Sequence, residues 1–192
     1  MIQAPWHDRL AEPLGQEHLV QLYREDARLV EAIALFAGRG LGKGESVVVI
    51  ATEPHRTAVR ERLGASGFDL GDLELWGRLT LIDAAGLLAR VYAGGSTDAG
   101  AFEAIVGDVV AAARAGGRYP RVRLYGEMVN LLWSADHGAA RRLEELWNAA
   151  IRRHHVSLLC AYRIAADAEA EGRFPADLRA LHSHLIPVQA GG

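Results

Sequence analysis

The sequence predicts an α/β fold of three layers, a mostly parallel sheet flanked by helices. Two observations predict it. Short apolar runs, Ser46–Thr52 foremost, lack an alternating polar side and read as strands buried on both faces, as in parallel sheets. Between them lie longer stretches whose apolar residues recur at helical spacing. Strands alternating with helices imply parallel pairing, because a parallel neighbour needs a long crossover. The chain has 192 residues, enough for one good core and short for two.

Residues 1–15 hold two prolines and no periodic pattern, and read as a tail or covering arm. From Glu17 to Ala37 the apolar positions Leu19, Leu22, Val30, Ile33 and Phe36 suggest helix, with Tyr23-Arg-Glu-Asp26 opening its main part. Gly38-Arg-Gly-Leu-Gly-Lys-Gly44 reads as its C-cap and turn. Ser46–Thr52 is the first expected strand. Glu53-Pro54 stops it, and Pro54 suits the first turn of a helix running to Gly64 or Gly67. Gly67–Leu73 reads as a loop, Leu79–Asp83 as the second strand, and Ala84–Tyr92 as a helix. Gly94-Gly-Ser-Thr97 reads as a loop, with Thr97 or Asp98 capping a helix over Ala99–Ala115. Arg121–Trp133 reads as strand, sharp glycine turn at Gly126, then helix. Helix Ala139–Arg153 and strand Val156–Tyr162 follow, and then a helix over Ala176–Leu185. The domain expected is 16–187, between the arm and a short tail at 188–192.

Composition narrows the function. Half the residues are hydrophobic, the net charge is −3, and no basic face stands out, which argues against nucleic acid as partner. No apolar run approaches the ~18 residues of a membrane span, and the first residues lack a signal pattern. One cysteine, Cys160, rules out an internal disulfide, so a cytoplasmic location is expected. Lys43 is the only lysine, and no phosphate-loop motif occurs. The Gly38–Gly44 glycines follow a helix and precede a strand, the reverse of a phosphate loop. No nucleophile elbow or zinc spacing appears among the His and Cys residues, so no catalytic group, metal or cofactor is predicted. A metal centre, were there one, would draw on His18, Glu127 and Cys160, which are distant in sequence.

In open α/β sheets, ligands sit at the carboxyl ends of strands. Those ends supply Thr52 and Glu53, Asp83, Tyr125 and Glu127, and Cys160 and Tyr162. Glu53 and Asp83 serve equally well as helix caps. Arg123 on a buried strand needs a partner, and Glu127 or Asp83 is the one expected. Trp133 is either core or the wall of an apolar pocket, and Cys160 packs as a small hydrophobe or faces the ligand.

Three stretches resemble the middle of KaiC/RecA-type ATPase domains. They are Gly44-Glu-Ser-Val-Val-Val-Ile-Ala-Thr, Leu63-Gly-Ala-Ser-Gly-Phe-Asp and Gly77-Arg-Leu-Thr-Leu-Ile-Asp-Ala. Where that family has its phosphate loop, this chain has Leu22-Tyr-Arg-Glu-Asp26, so the likeness implies a degenerate nucleotide site. A closer resemblance is to the MEDS domain, the sensory domain of methanogens, methylotrophs and the dichloromethane regulator. It is carried by His18-x-x-x-Leu22-Tyr23, Gly44-Glu45, Arg123-x-Tyr-Gly-Glu127-Met-Val with Leu132-Trp133, Leu143-Glu-x-Leu-Trp147-Asn148 and Leu158-Leu-Cys160-Ala-Tyr162. That resemblance covers residues 16–187. It implies a RecA/KaiC-like, non-enzymatic sensor of a small organic or hydrocarbon-derived ligand, acting in signalling or transcription control. The ligand is expected near His18, Tyr23, Glu53, Arg123, Tyr125, Glu127, Trp133, Cys160 and Tyr162. Relatives are often fused to histidine kinase or DNA-binding domains. This chain shows neither, so a separate histidine kinase or transcription regulator is the expected partner. The rival expectation is an interaction module with a vestigial nucleotide site, docking a kinase, regulator or anti-sigma-type partner.

Overall fold

A computed structural model describes residues 5–165 and 172–188. In chain order the elements are α1 (Pro5–Ala11), β1 (His18–Tyr23), α2 (Asp26–Gly42), β2 (Ser46–Ala51), α3 (Glu53–Ala65), α4 (Leu70–Leu75), β3 (Leu79–Asp83) and α5 (Ala84–Val91). A small hairpin follows, β4 (Tyr92–Ala93) and β5 (Ser96–Thr97), then α6 (Ala99–Arg114), β6 (Val122–Gly126), α7 (Met128–Leu132), α8 (His137–His154), β7 (Ser157–Arg163), α9 (Ala176–Arg179) and β8 (His184–Ile186). The main sheet has six strands in the order β3-β2-β6-β7-β1-β8, and every pairing in it is parallel. The α/β class, the parallel sheet and the three layers therefore stand as the sequence predicts.

Alternating strand residues feed two cores. Val20, Leu22, Val48, Ile50, Leu124 and Leu158 face Phe102, Met128 and Trp147 of α6, α7 and α8. Leu19, Tyr23, Val47, Val49, Tyr125 and Leu159 face Leu10, Ile33, Phe36 and Val59 of α1, α2 and α3. The arm is not merely a tail: α1 packs on α2, and Leu10 is fully buried. Residues 1–4 and the tail from 189 lie outside the described residues. Among the described residues no helix is long and apolar enough to cross a membrane.

Two expectations of helix are corrected to strand. His18–Tyr23 lies between β7 and β8, with all six residues buried. Leu19 and Leu22 have helical spacing, but a six-residue run buried on both faces carries no period that separates strand from helix. At the other end, helix ends at Arg179, and His184–Ile186 joins the open edge of β1 instead. Smaller differences have local causes. Gly94 and Gly95 have φ of 60° and 79°, the two positive values that a tight two-residue hairpin needs, so the expected loop pairs into β4–β5. Asp69 accepts a hydrogen bond from Asp72 N at 3.1 Å and starts α4 inside the expected Gly67–Leu73 loop.

The glycine stretch also differs. Helix α2 runs through Gly38 and Gly40 to Gly42. A Cβ on Gly40 would stand 2.8 Å from Arg123 Cδ and 2.9 Å from Arg123 Nε, so that glycine is where the helix crosses a buried arginine. Gly126 does not make a left-handed turn; it closes β6 in contact with Leu158 and Trp147, and Glu127 carries the chain into α7.

Candidate functional site

The parallel sheet gathers polar groups at the carboxyl ends of β1, β2, β6 and β7. Glu127, just past β6, is 2% exposed. Its carboxylate accepts from Thr52 N at 3.0 Å and from Thr52 Oγ1 at 3.4 Å, both at the end of β2. It also accepts from His55 Nδ1 at 2.7 Å. His55 sits in the first turn of α3, and its other nitrogen, Nε2, lies 3.2 Å from Asp26 Oδ1 at the start of α2. Both ring nitrogens thus face carboxylates, and both are satisfied only when the ring is an imidazolium. The hydrogen bond to Glu127 raises the His55 pKa above the usual histidine value, against the opposing effect of burial.

The network continues across β1 and β7. Asp26 pairs with Arg163, whose guanidinium stands 5.3 Å from the Tyr23 ring centroid. Asn130 of α7 donates to Tyr23 Oη at 3.2 Å and accepts from Arg163 N at 2.8 Å. Burial, then the charge of Glu127, pushes the Tyr23 hydroxyl up to about 12. Tyr125 is wholly buried beneath, its hydroxyl without a hydrogen-bond partner among the described residues. Against this network, between α2 and α3, lies a cleft of about 420 Å³ lined by Asp26, Ala27, Val30, Pro54, His55 and Ala58 among others. Its walls are largely apolar, with Asp26, His55, Glu31 and Arg62 as the polar part of the lining, the mix that small-molecule sites use.

On the opposite face of the sheet a second cluster is buried between β1, β7, α8 and the turn before β8. His18 Nε2 lies 3.3 Å from Cys160 Sγ and 3.2 Å from Glu144 Oε2. Cys160 Sγ lies 3.6 Å from Glu144 Oε2, and His182 Nε2 lies 3.2 Å from Glu144 Oε1. Tyr162 Oη donates to Glu144 Oε1 at 2.6 Å. Burial acts to raise the Glu144 carboxyl, but His182 and His18 overcome it and hold it below the usual carboxylate range. Burial, then the neighbouring His182, lowers His18, while burial pushes the Cys160 thiol up. Among the described residues, this is the group of His, Cys and carboxylate side chains close enough to share one cation.

The residues expected at one site are therefore divided by the sheet. Glu127, Tyr23 and Tyr125 belong to the strand-end network and the core beneath it. His18, Cys160 and Tyr162 line the opposite face, and Trp133 meets Tyr162 edge-on at 5.6 Å. Glu53 is exposed on the first turn of α3, and Asp83 caps α5 through Gly86 N at 2.6 Å. Arg123 is paired neither with Glu127 nor with Asp83. It sits near the amino end of β6, pairs with Glu45, and donates to Ala11 O at 3.0 Å and Phe36 O at 3.1 Å. The strand simply carries it away from the site, since four residues of extended chain span about 13 Å.

Sequence reasoning missed His55, Asp26, Asn130 and Arg163 at the first cluster, and Glu144, His182 and Asn148 at the second. Two signals were present, the first being that Glu144 and Asn148 stand in the Leu143–Asn148 stretch that carries the family resemblance. Second, Glu144 interrupts the apolar stripe Ala140, Leu143, Trp147, Ile151 of α8, and a carboxylate on a buried helical face needs partners.

Comparison with known proteins bears on what these clusters serve. No curated protein matches the chain. The family model described as MEDS, MEthanogen/methylotroph, DcmR Sensory domain, matches residues 17–183. That span runs from the residue before β1 to the turn before β8, and so takes in both clusters and nearly the whole sheet. The chain belongs to the MEDS family of sensory domains.

Proposed function

We propose that this chain is a non-enzymatic sensory domain that takes a small organic molecule in the α2–α3 cleft. The observation that supports this most directly is the placement of His55, which borders the cleft and bonds the buried Glu127 behind it. A guest touching His55 or Asp26 competes for their hydrogen bonds. Glu127 then exchanges contacts with Thr52 and with the start of α7, so occupancy biases the position of those segments. The output passes to a separate signalling or transcription partner. The β1–α2 turn, Arg24-Glu25, supports a site without nucleotide: it places Glu25 and Asp26 at a helix start, where acids repel phosphate.

The test is a thermal-shift and NMR titration with a panel of short-chain alcohols, amines and halogenated methanes. A responding compound should lose its effect when Ala58→Trp fills the cleft. A response that survives Ala58→Trp would sink the cleft as its site. One observation favours a second reading, the interaction module: Leu75 and Trp76 at the end of α4 are 76% and 54% exposed. Partner capture abolished by Trp76→Ser, with no compound responding, would support that reading instead.

A further inference from the structure

We propose that His18, Glu144, Cys160 and His182 form a binding site for one first-row divalent cation of the zinc type. This goes beyond the sensory reading and lies on the other face of the sheet. The spacing comes first. His18 Nε2 and Cys160 Sγ lie 3.3 Å apart and stand 3.2 and 3.6 Å from Glu144 Oε2, His182 Nε2 lies 3.2 Å from the other oxygen, Oε1, and one donor atom from each residue lies within 4.8 Å of the rest. A tetrahedron with metal–nitrogen and metal–oxygen bonds of about 2.0 Å and a metal–sulfur bond of about 2.3 Å has edges of about 3.3–3.6 Å.

The second ring nitrogens supply an independent argument. His18 Nδ1 lies 3.1 Å from Asn148 Oδ1. Asn148 Nδ2 donates to Leu181 O at 2.8 Å, which fixes the amide so that its oxygen faces His18. His182 Nδ1 lies 2.8 Å from Leu178 O. Each Nδ1 therefore carries its proton toward an acceptor, and in the neutral ring, the form a cation binds, each Nε2 turns its lone pair inward. Outer hydrogen bonds of this kind orient metal-binding imidazoles.

Without a cation the centre is oversupplied with acceptors. His182 Nε2 is buried and makes no hydrogen bond among the described residues, although Glu144 Oε1 is 3.2 Å away. A divalent ion would satisfy that lone pair. It would also balance the Glu144 carboxylate and the Cys160 thiolate, whose proton leaves to solvent on binding. Thiolate and imidazole with one carboxylate select a borderline metal over magnesium or calcium. Four protein donors leave no open position, so the site is of the closed kind, clamping α8, β1, β7 and the turn before β8 together.

The test is titration of the reduced, chelator-stripped full chain with Co²⁺. One equivalent should bind, giving intense visible bands of four-coordinate cobalt and a sulfur-to-cobalt charge-transfer band, and Zn²⁺ should displace it. Cys160→Ser should abolish the charge-transfer band, and His182→Gln should weaken binding at least tenfold. Glu103→Gln, which removes the Glu103–His154 pair at the far end of α8, should change nothing. Where Cys160→Ser fails to fold, His182→Gln decides, since it lies in a turn and near-ultraviolet dichroism reports its packing. Absence of the bands at stoichiometric Co²⁺, or bands unchanged in His182→Gln, would overturn the assignment.

Discussion

His55 and Glu127, 72 positions apart, share a hydrogen bond of 2.7 Å that joins the α2–α3 cleft to the end of β6. The pair exists because β2 and β6 are neighbours, with Val49 opposite Tyr125. The two strand ends therefore deliver α3 and Glu127 to the same place. Glu127 caps no helix with its side chain. Its oxygens are used on Thr52 and His55 instead.

Glu127→Gln should keep the shape and remove the charge. The amide retains the contact with Thr52 N through its oxygen, but the His55 imidazolium loses its principal partner. Expected are a fall in the His55 pKa, read by NMR, and a loss of about 1–3 kcal/mol in urea denaturation. An unshifted His55 would show that another group sets its charge.

Arg123→Met tests a different relationship. Arg123 bonds Glu45 and the carbonyls of Ala11 and Phe36, so it fastens α1 to α2 and β6. Among the described residues, removing it leaves Glu45 buried with only Arg121 at 3.7 Å on the solvent side. The expected cost is about 3 kcal/mol, with proteolysis appearing first in the α1 segment. Adding Glu45→Leu should recover part of the loss, and compound responses at the cleft should persist, since the cleft is at the other end of the sheet. A double variant no more stable than Arg123→Met would refute the pairing argument.

The fold was legible where a β-branched run is closed by a helix start, as at Ser46–Ala51, and where a short strand ends at a glycine before a helical apolar stripe, as at Val122–Gly126. It was illegible at β1 and β8. His18–Tyr23 carries His and Gln inside the sheet, and Gln21 is tolerated there because Leu22 O and Pro187 O accept its amide protons at 2.7 and 3.3 Å. Pro187 lies 166 positions away, so no local pattern signals that partner. The site suffered for the same reason. Once 18–23 is a strand, His18 and Tyr23 point to opposite faces, and residues expected together become two clusters. His182 lies 164 positions after His18, and only the pairing of β8 with β1 brings it alongside.

Gly40→Ala sets helix propensity against packing. Alanine inside a helix normally gains about 0.5–1 kcal/mol over glycine. Here the new methyl meets Arg123 Cδ at 2.8 Å and Val47 Cγ2 at 3.2 Å, and Arg123 is held by its four hydrogen-bonded oxygens. Overpacking of this kind costs about 1–3 kcal/mol, so a net loss is expected. Gly38→Ala meets Phe68 only at 3.4 Å and should be stabilising. Equal melting shifts for the two variants would mean that Arg123 yields freely.

The pH dependence follows from the charge of His55. Its pKa is raised in the folded protein, chiefly by Glu127. A raised histidine contributes stability that is fully present below the unfolded value, about 6.5, and is lost as pH rises through the folded value. The difference in unfolding free energy between the natural chain and His55→Gln should therefore be largest in mild acid and shrink above neutrality. Asp26 sets the lower limit. Burial acts to raise it, but hydrogen bonds from His55 and Arg163 hold it below the usual aspartate range, so its contribution is present above about 3.9 and fades as pH falls through the depressed value. Urea titrations from about pH 5 to about pH 9 cover the histidine transition. A difference that stays flat, or grows with pH, would mean that His55 is neutral between its two carboxylates.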